Sequence, residues 1–365
     1  IGSHSGKILF WSTAGSIAGS FSAGFYLIPS FGLSAIIIST GIILNILGIA
    51  GLLLFRAFTK KVFIIILAFC LAEAAILFLT PKETRFVYEK DGLYEKIGIL
   101  EREWNGHPTR FLYQDRSWSS AAFLDSEEMA FEYTKYYRLY QLFNKNPENA
   151  VIAGGGAYSI PRDFLLKSDS VHLEVSEIEP RYLELAKQYF FLPNDPRMKN
   201  IVGDGRRSLQ MSNQTYDVIV SDVYYSLFSV PPHFTTKEFF SLAKKKMEME
   251  GVFIGNFAGN LDESTSSFVL SEIKTFREVF ENSYFFAVTS PDSPTTQNVI
   301  FLGINGSKMI DFNSVLIKNN PDPIIRNLAT KQIDLGSIDF SRQITLTDDY
   351  APVEHLVGKI INAFY

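Results

Sequence analysis

Apolar positions follow three different rhythms along this chain. From residue 8 to residue 80 they are nearly continuous, and polar breaks divide the stretch into Ile8–Pro29, Gly32–Phe55 and Val62–Thr80. Each run is roughly 19–24 residues, enough to cross a hydrocarbon core of about 30 Å, so the pattern predicts three membrane-spanning helices. After Pro81 apolar and polar residues alternate. Thr84–Tyr88, Tyr94–Glu101 and Thr109–Tyr113 are predicted as short strands with turns at Asp91-Gly92 and Asn105-Gly106, a small antiparallel β unit over 81–125. Residues 127–144, dense in Tyr and Phe, are expected to form a helix. From 149 to about 304 short apolar runs alternate with amphipathic stretches at 180–190, 205–211, 235–248 and 264–281. Residues 284–304 supply an antiparallel hairpin at the sheet edge, and the tail ends in an apolar helix, Val353–Phe364. The expected fold class is α/β: N-terminal transmembrane helices over 1–80, the β unit over 81–125, and a doubly wound, Rossmann-like domain over 126–365.

Composition sharpens the membrane reading. Hydrophobic residues make up 47% of 365 residues, and the excess lies in the first eighty. In the first run Gly15, Gly19 and Ala23 fall four apart, as do Ser12, Ser16, Ser20 and Gly24, a row of small residues that lets helices approach closely. Glu73 in the third run is costly in lipid and is expected to bond a neighbouring helix. The runs follow one another without the polar break of a cleaved leader, and the chain begins at Ile1 rather than Met. A formal net charge of −5 argues against nucleic acid as a partner. The single cysteine, Cys70, excludes an internal disulfide, and the five histidines show no metal-ligand spacing, so no metal is expected.

The chemistry concentrates at four successive strand ends. Ala150–Gly156 is an apolar run ending in Gly154, Gly155 and Gly156, where backbone approaches a ligand closely. Val171–Glu177 ends on Glu177, placed to accept the hydroxyls of a ribose. Ile201–Gly205 carries Asp204, placed for an adenine amine, followed by Gly205. Tyr216–Asp222 ends on Asp222, the catalytic candidate, where a carboxylate takes a proton from an attacking amine. Taken singly each acid reads equally well as a helix cap. The loop has neither the Gly-x-Gly-x-x-Gly spacing of dinucleotide sites nor the Lys and Ser/Thr of a P-loop, which favours an adenosyl ligand without a pyrophosphate. The loop after Asp222, with Tyr224 and Tyr225, suits an aromatic wall over an acceptor; its alternative is packing.

Ala153–Gly156, Glu177–Pro180, Gly203-Asp204-Gly205 and Val218–Asp222 together resemble the ordered motifs of the spermidine synthases, the polyamine aminopropyltransferases. Pro231–Phe240, Leu346–Glu354 and Trp11–Gly19 are closer to a membrane-fused branch of that family. The resemblance implies an S-adenosylmethionine-dependent transferase that moves an aminopropyl group from decarboxylated S-adenosylmethionine to a small amine acceptor. It departs at three places. Ala157 stands where the family carries a donor-binding acid, Tyr225 where it carries a second acid, and Glu95 where it carries a glutamine. Glu132, Asp348, Asp349 and Glu354 are the acids that would restore an acidic acceptor pocket. Three readings follow: aminopropyl transfer; methyl transfer from S-adenosylmethionine, which Ala157, Tyr225 and the aromatic cluster at 133–140 favour; and a non-catalytic nucleotide-binding scaffold. The small-residue row and the family habit imply a homodimer. Basic residues flank both sides of the third run, so charge leaves the topology open. The cytosolic origin of the donor nucleotide places the catalytic domain on the cytoplasmic face.

Overall fold

The computed structural model describes residues 2–54, 59, 61, 62, 64, 66–69, 86–115, 117–225, 229–261 and 267–362. The chain divides into two compact units, Ile1–Leu100 and Glu101–Tyr365. The division falls inside a strand.

In the first unit a helix over Gly2–Ser22 passes through a π-helical turn, Ala23–Leu27, and a short helix, Ile28–Phe31. Gly32 interrupts the helix, with a φ of 77° that suits glycine. Leu33–Leu54 then runs as one 22-residue helix, and among the described residues it is the helix long and apolar enough to cross a membrane. The first expected span is helical but less apolar, and most of the third, with Glu73 and Cys70, lies outside the described residues. A Cβ at Gly15 or Gly19 would meet nothing within 4 Å, so this unit leaves the small-residue row open. The unit also holds β1 (Tyr88–Asp91), antiparallel to the first residues of β2 (Lys96–Trp104). Of the expected strand at 84–88, residues 84 and 85 lie outside the described residues, Phe86 and Val87 are not in a strand, and β1 begins at Tyr88.

The second unit opens with β3 (His107–Gln114) and β4 (Ser117–Phe123), an antiparallel pair. The helix expected over 127–144 is instead a single α-turn, Glu132–Lys135, continued by the 3₁₀ segment Tyr136–Leu142. Tyr136, Tyr137, Leu139 and Tyr140 are all buried there, so consecutive side chains face the core on several sides, which the tighter 3₁₀ winding permits. Buried Arg138 holds the segment in place through a two-point contact with Asp163 (2.9 and 2.6 Å).

The main sheet contains β5 (Asn149–Ala153), β6 (His172–Glu177), β7 (Met198–Val202), β8 (Tyr216–Ser221), β9 (Met247–Gly259), β10 (Ser283–Ala287) and β11 (Gln297–Ile304). Its order is β10-β11-β9-β8-β5-β6-β7. The pairs β5–β6, β6–β7, β5–β8 and β8–β9 are parallel, and β11 pairs antiparallel with both β9 and β10. This mixed sheet is a Rossmann-like fold of methyltransferase type, with the expected hairpin at its edge. Helices Tyr182–Tyr189, Gly205–Met211, Lys237–Lys245 and Ser267–Arg277 connect the strands close to the stretches the amphipathic pattern marked. Phe239, Phe240, Phe253, Phe257, Phe276, Phe280 and Phe301 pack into one buried cluster beside the sheet. Strand order reverses between β5 and β8, and ligands of open α/β sheets bind at such a reversal.

Candidate functional site

Two loops meet at that reversal. The Asp222 N–H donates to the Ala153 carbonyl (3.0 Å), and the Gly154 N–H to the Ser176 carbonyl (2.9 Å), so the glycine loop and Asp222 leave adjacent strands side by side. Gly154 has φ 94° and lies against the Asp222 carbonyl, where a Cβ would collide with backbone. Tyr158 follows in the left-handed region (φ 58°) and starts the helix Ser159–Lys167. Its buried ring lies against Gly155, and its hydroxyl bonds Asn200.

Glu177 ends β6, as the sequence suggested, but it does not present a free carboxylate. Its Oε2 accepts from the N–H groups of Gly155 (2.8 Å) and Gly156 (3.0 Å), and its Oε1 from that of Glu179 (2.8 Å). Burial pushes its carboxyl above the ordinary value, while these backbone donors pull it down. Glu177 thus clamps the loop and takes up the two amides that would otherwise receive a phosphate. That supports an adenosyl ligand over a dinucleotide.

Asp204 takes the capping role that the sequence also allowed. Its Oδ1 caps the helix Gly205–Met211 by accepting from the Arg207 N–H (2.7 Å). Its Oδ2 meets His233 Nε2 at 2.7 Å. Burial pushes the Asp204 carboxyl up, but His233, the Arg207 N–H and Arg206 outweigh it and hold the group below its ordinary value. Gly205 turns out to serve packing: a Cβ there would lie 2.7 Å from that of Ala153.

Asp222 is half-buried, one residue beyond β8, and receives a neutral donor on each oxygen. The Tyr133 hydroxyl donates to Oδ2 and Asn256 Nδ2 to Oδ1, both at 3.2 Å. Tyr137 donates to the neighbouring Ser221 carbonyl (3.4 Å), and the Tyr224 hydroxyl to the Asn256 carbonyl (3.0 Å). Burial pushes the Asp222 carboxyl above its ordinary value, and Asn256, Tyr133 and Tyr137 pull it back. Tyr133, Tyr137 and Tyr224 are held well above the ordinary phenol range, first by burial and then by the Asp222 charge. They therefore remain protonated donors at neutral pH. With Asn256, Tyr133 and Tyr137 as donors to about four lone-pair sites, the carboxylate keeps capacity for an incoming N–H.

The remaining candidates are placed differently. Both oxygens of Asp348 are taken by Arg206 (2.7 and 2.6 Å), and Oδ1 also accepts from the Thr236 hydroxyl (2.7 Å). Arg206 holds the Asp348 carboxyl below its ordinary value. This acid ties the tail to the Asp204 side of the sheet, its charge matched by Arg206. The pair is partly exposed, so Asp348→Asn is expected to cost at most about 1 kcal/mol, a Tm fall of roughly 2–4 °C. Donor affinity should stay unchanged by calorimetry. Asp349 is exposed at the tip of the turn Thr347–Tyr350, and exposed Glu132 pairs with Lys135 at 3.0 Å. Tyr225 is half exposed, its N–H bonded to the Ser229 carbonyl. Glu354 is exposed on the C-terminal helix. Glu95 belongs to the first unit, at the turn where the Gly92 N–H donates to its carbonyl.

Sequence reasoning missed Asn256, Asn298, His233 and Ser120. Asn256 left a signal, a polar residue at 3% exposure inside an otherwise apolar run. Ser120 left none: its Oγ accepts the Ala157 N–H (3.2 Å) from β4, a contact made only by folding.

A Rossmann-like sheet of methyltransferase type, with a glycine loop and a donor-fed carboxylate at its reversal, defines a class of group-transferring α/β domains. Residues 137–314 match the spermine/spermidine synthase domain, and the chain carries a domain of that family. Its homologues are transferases. The chain is 24% identical over 229 residues to a polyamine aminopropyltransferase of Vibrio vulnificus, covering 61% of this chain and 75% of that one. It is 25% identical over 226 residues to one of Bacillus mycoides, covering 60% and 77%. Among solved structures, a probable spermidine synthase from Corynebacterium glutamicum matches with a TM-score of 0.58 and 21% identity, over 74% of this chain and 99% of that one. The spermidine synthase of Thermotoga maritima matches with a TM-score of 0.50 and 19% identity, over 65% and 79%. These structural likenesses concern the fold.

Proposed function

We propose that this protein is a membrane-anchored aminopropyltransferase that uses decarboxylated S-adenosylmethionine and an amine acceptor. The observation that carries the reading is Asp222, held beside the glycine loop with a neutral donor on each oxygen. In the proposed step the acceptor nitrogen attacks the methylene carbon bonded to the sulfonium. The new N–C bond forms as the C–S bond breaks, methylthioadenosine leaves, and the amine proton passes to Asp222. The sulfonium is already a good leaving group, so this chain's residues contribute by positioning and by taking the proton. Glu177 Oε1 and Asp204 suit the ribose and base ends of the donor. The helix Leu33–Leu54 supports anchoring, and the catalytic domain is assigned to the cytoplasmic face. A reporter fused at the C-terminus that read out on the opposite face would overturn that assignment.

Methyl transfer from S-adenosylmethionine is the second reading. Ala157 supports it, being buried against Ser120 and bringing no acid to repel a donor carboxylate. Calorimetric titration of the detergent-solubilised chain with each donor, followed by product analysis with di- and polyamines, separates the two. Preference for the decarboxylated donor with release of methylthioadenosine is expected. Formation of S-adenosylhomocysteine would establish the methyl reading instead, and binding of neither donor would refute both.

A further inference from the structure

Asn298 stands on β11, with β9 between it and β8. In the antiparallel register Asn298 faces Ala258 and Ile300 faces Asn256, so Asn298 and Asn256 are diagonal neighbours on one face of the sheet. Asn298 Nδ2 donates to Asn256 Oδ1 at 3.0 Å, and Asn256 Nδ2 donates to Asp222 Oδ1 at 3.2 Å. A primary amide is nearly symmetric in shape, so packing alone does not decide which end of Asn256 faces the carboxylate. A partner at its far end decides. With Asn298 donating to Oδ1, the NH2 end is turned to Asp222. With the amide reversed, a carbonyl oxygen would face the carboxylate and repel its charge.

We infer that Asn298 is a positioning residue: it locks the Asn256 amide with its N–H toward Asp222, and so keeps Asp222 ionised and ready to take a proton. The groups around Asp222 make this orientation consequential. Tyr133 and Tyr137 approach from the segment 132–142, Tyr224 from the following loop, and Asn256 from β9; the glycine loop adds no charge. Glu272, buried on the helix Ser267–Arg277, acts on Tyr224, and burial pushes its own carboxyl well above the ordinary value. The donors that hold the Asp222 charge are thus neutral and directional, and turning one of them end for end changes the sign of its effect.

The inference rests on Asp222 being the proton acceptor, but its test does not need turnover. Infrared pH titration of the full chain in detergent, with Asp222→Asn as the blank that assigns the Asp222 band, reads the ionisation midpoint directly. Asn298→Leu removes the donor while keeping the branched outline and adding no charge, and is expected to raise that midpoint by about one unit. Asn256→Leu should raise it at least as far, and the double variant should add less than about 0.2 units to Asn256→Leu, because Asn298 acts through Asn256. A midpoint unmoved by Asn298→Leu, or an additive double variant, would overturn the proposal. Asn298→Ala gives the same comparison should the leucine variant not fold. Where turnover is measurable, the acid limb of kcat/KM should move up in pH by the same amount. A shifted midpoint in a protein that turns over neither donor would count against the aminopropyl reading and leave the positioning role standing.

Discussion

Asp222→Asn is expected to reduce kcat about 10²–10⁴-fold, the usual contribution of a positioned general base, with donor affinity unchanged within a small factor. The amide matches the carboxylate in size but cannot accept the amine proton. It also meets two donors, the Tyr133 hydroxyl and the Asn256 NH2, with a single acceptor oxygen, so one of those bonds is lost. Stability should move the other way as pH rises. Burial raises the folded-state value of Asp222 above its unfolded value. A carboxyl of this kind contributes stability that is fully present below the unfolded value, about 3.9, and is lost as pH climbs through the folded value. The asparagine variant has no such dependence. The Tm of the variant minus that of the native chain should therefore grow from mildly acidic pH upward and level off above the folded value. Retained turnover would remove Asp222 from the mechanism. A flat Tm difference would show that its ionisation does not oppose folding.

The acid at each strand end was legible because a parallel sheet repeats one rule: strand, loop with a polar residue, helix. Asp222, Glu177 and Asp204 stand where that rule put them. The partners of those acids were not legible. Glu177 Oε2 is taken by the amides of a loop more than twenty residues earlier, and Asp348 meets Arg206 across 142 residues of chain. Such pairings follow from the crossing of elements, which periodicity does not record. The segment 132–142 was misread for a related reason. Its apolar side chains are consecutive rather than three or four apart, so a helical count missed the short α-turn that brings Tyr133 to Asp222 and the 3₁₀ winding that brings Tyr137 to the Ser221 carbonyl. Asn256 was overlooked because a lone amide in an apolar strand is invisible to a search for acids and histidines.

Gly154→Ala is the second change expected to lower activity strongly, and it isolates the contact between the loop and the catalytic carboxylate. At φ 94° an alanine is strained by about 1 kcal/mol. The larger penalty is steric, since the new Cβ would collide with the Asp222 carbonyl oxygen and lie 2.9 Å from its carbon. Both are backbone atoms fixed in the β5–β8 pairing by the Asp222 N–H to Ala153 bond, so no rotamer change relieves the clash. The strand ends must part, carrying Asp222 away from Tyr133 and Asn256. A displacement of about 1 Å at a reacting group can lower rate about 10²-fold. Gly156→Ala is the control. Its φ of 52° also strains an alanine, but its Cβ would meet the Ser120 hydroxyl, a side-chain atom that can rotate away, rather than backbone. The expected result is loss of kcat and a lowered Tm for Gly154→Ala, with a milder fall for Gly156→Ala. Equal damage from both would mean that the loop's general freedom matters, and that its abutment on Asp222 does not.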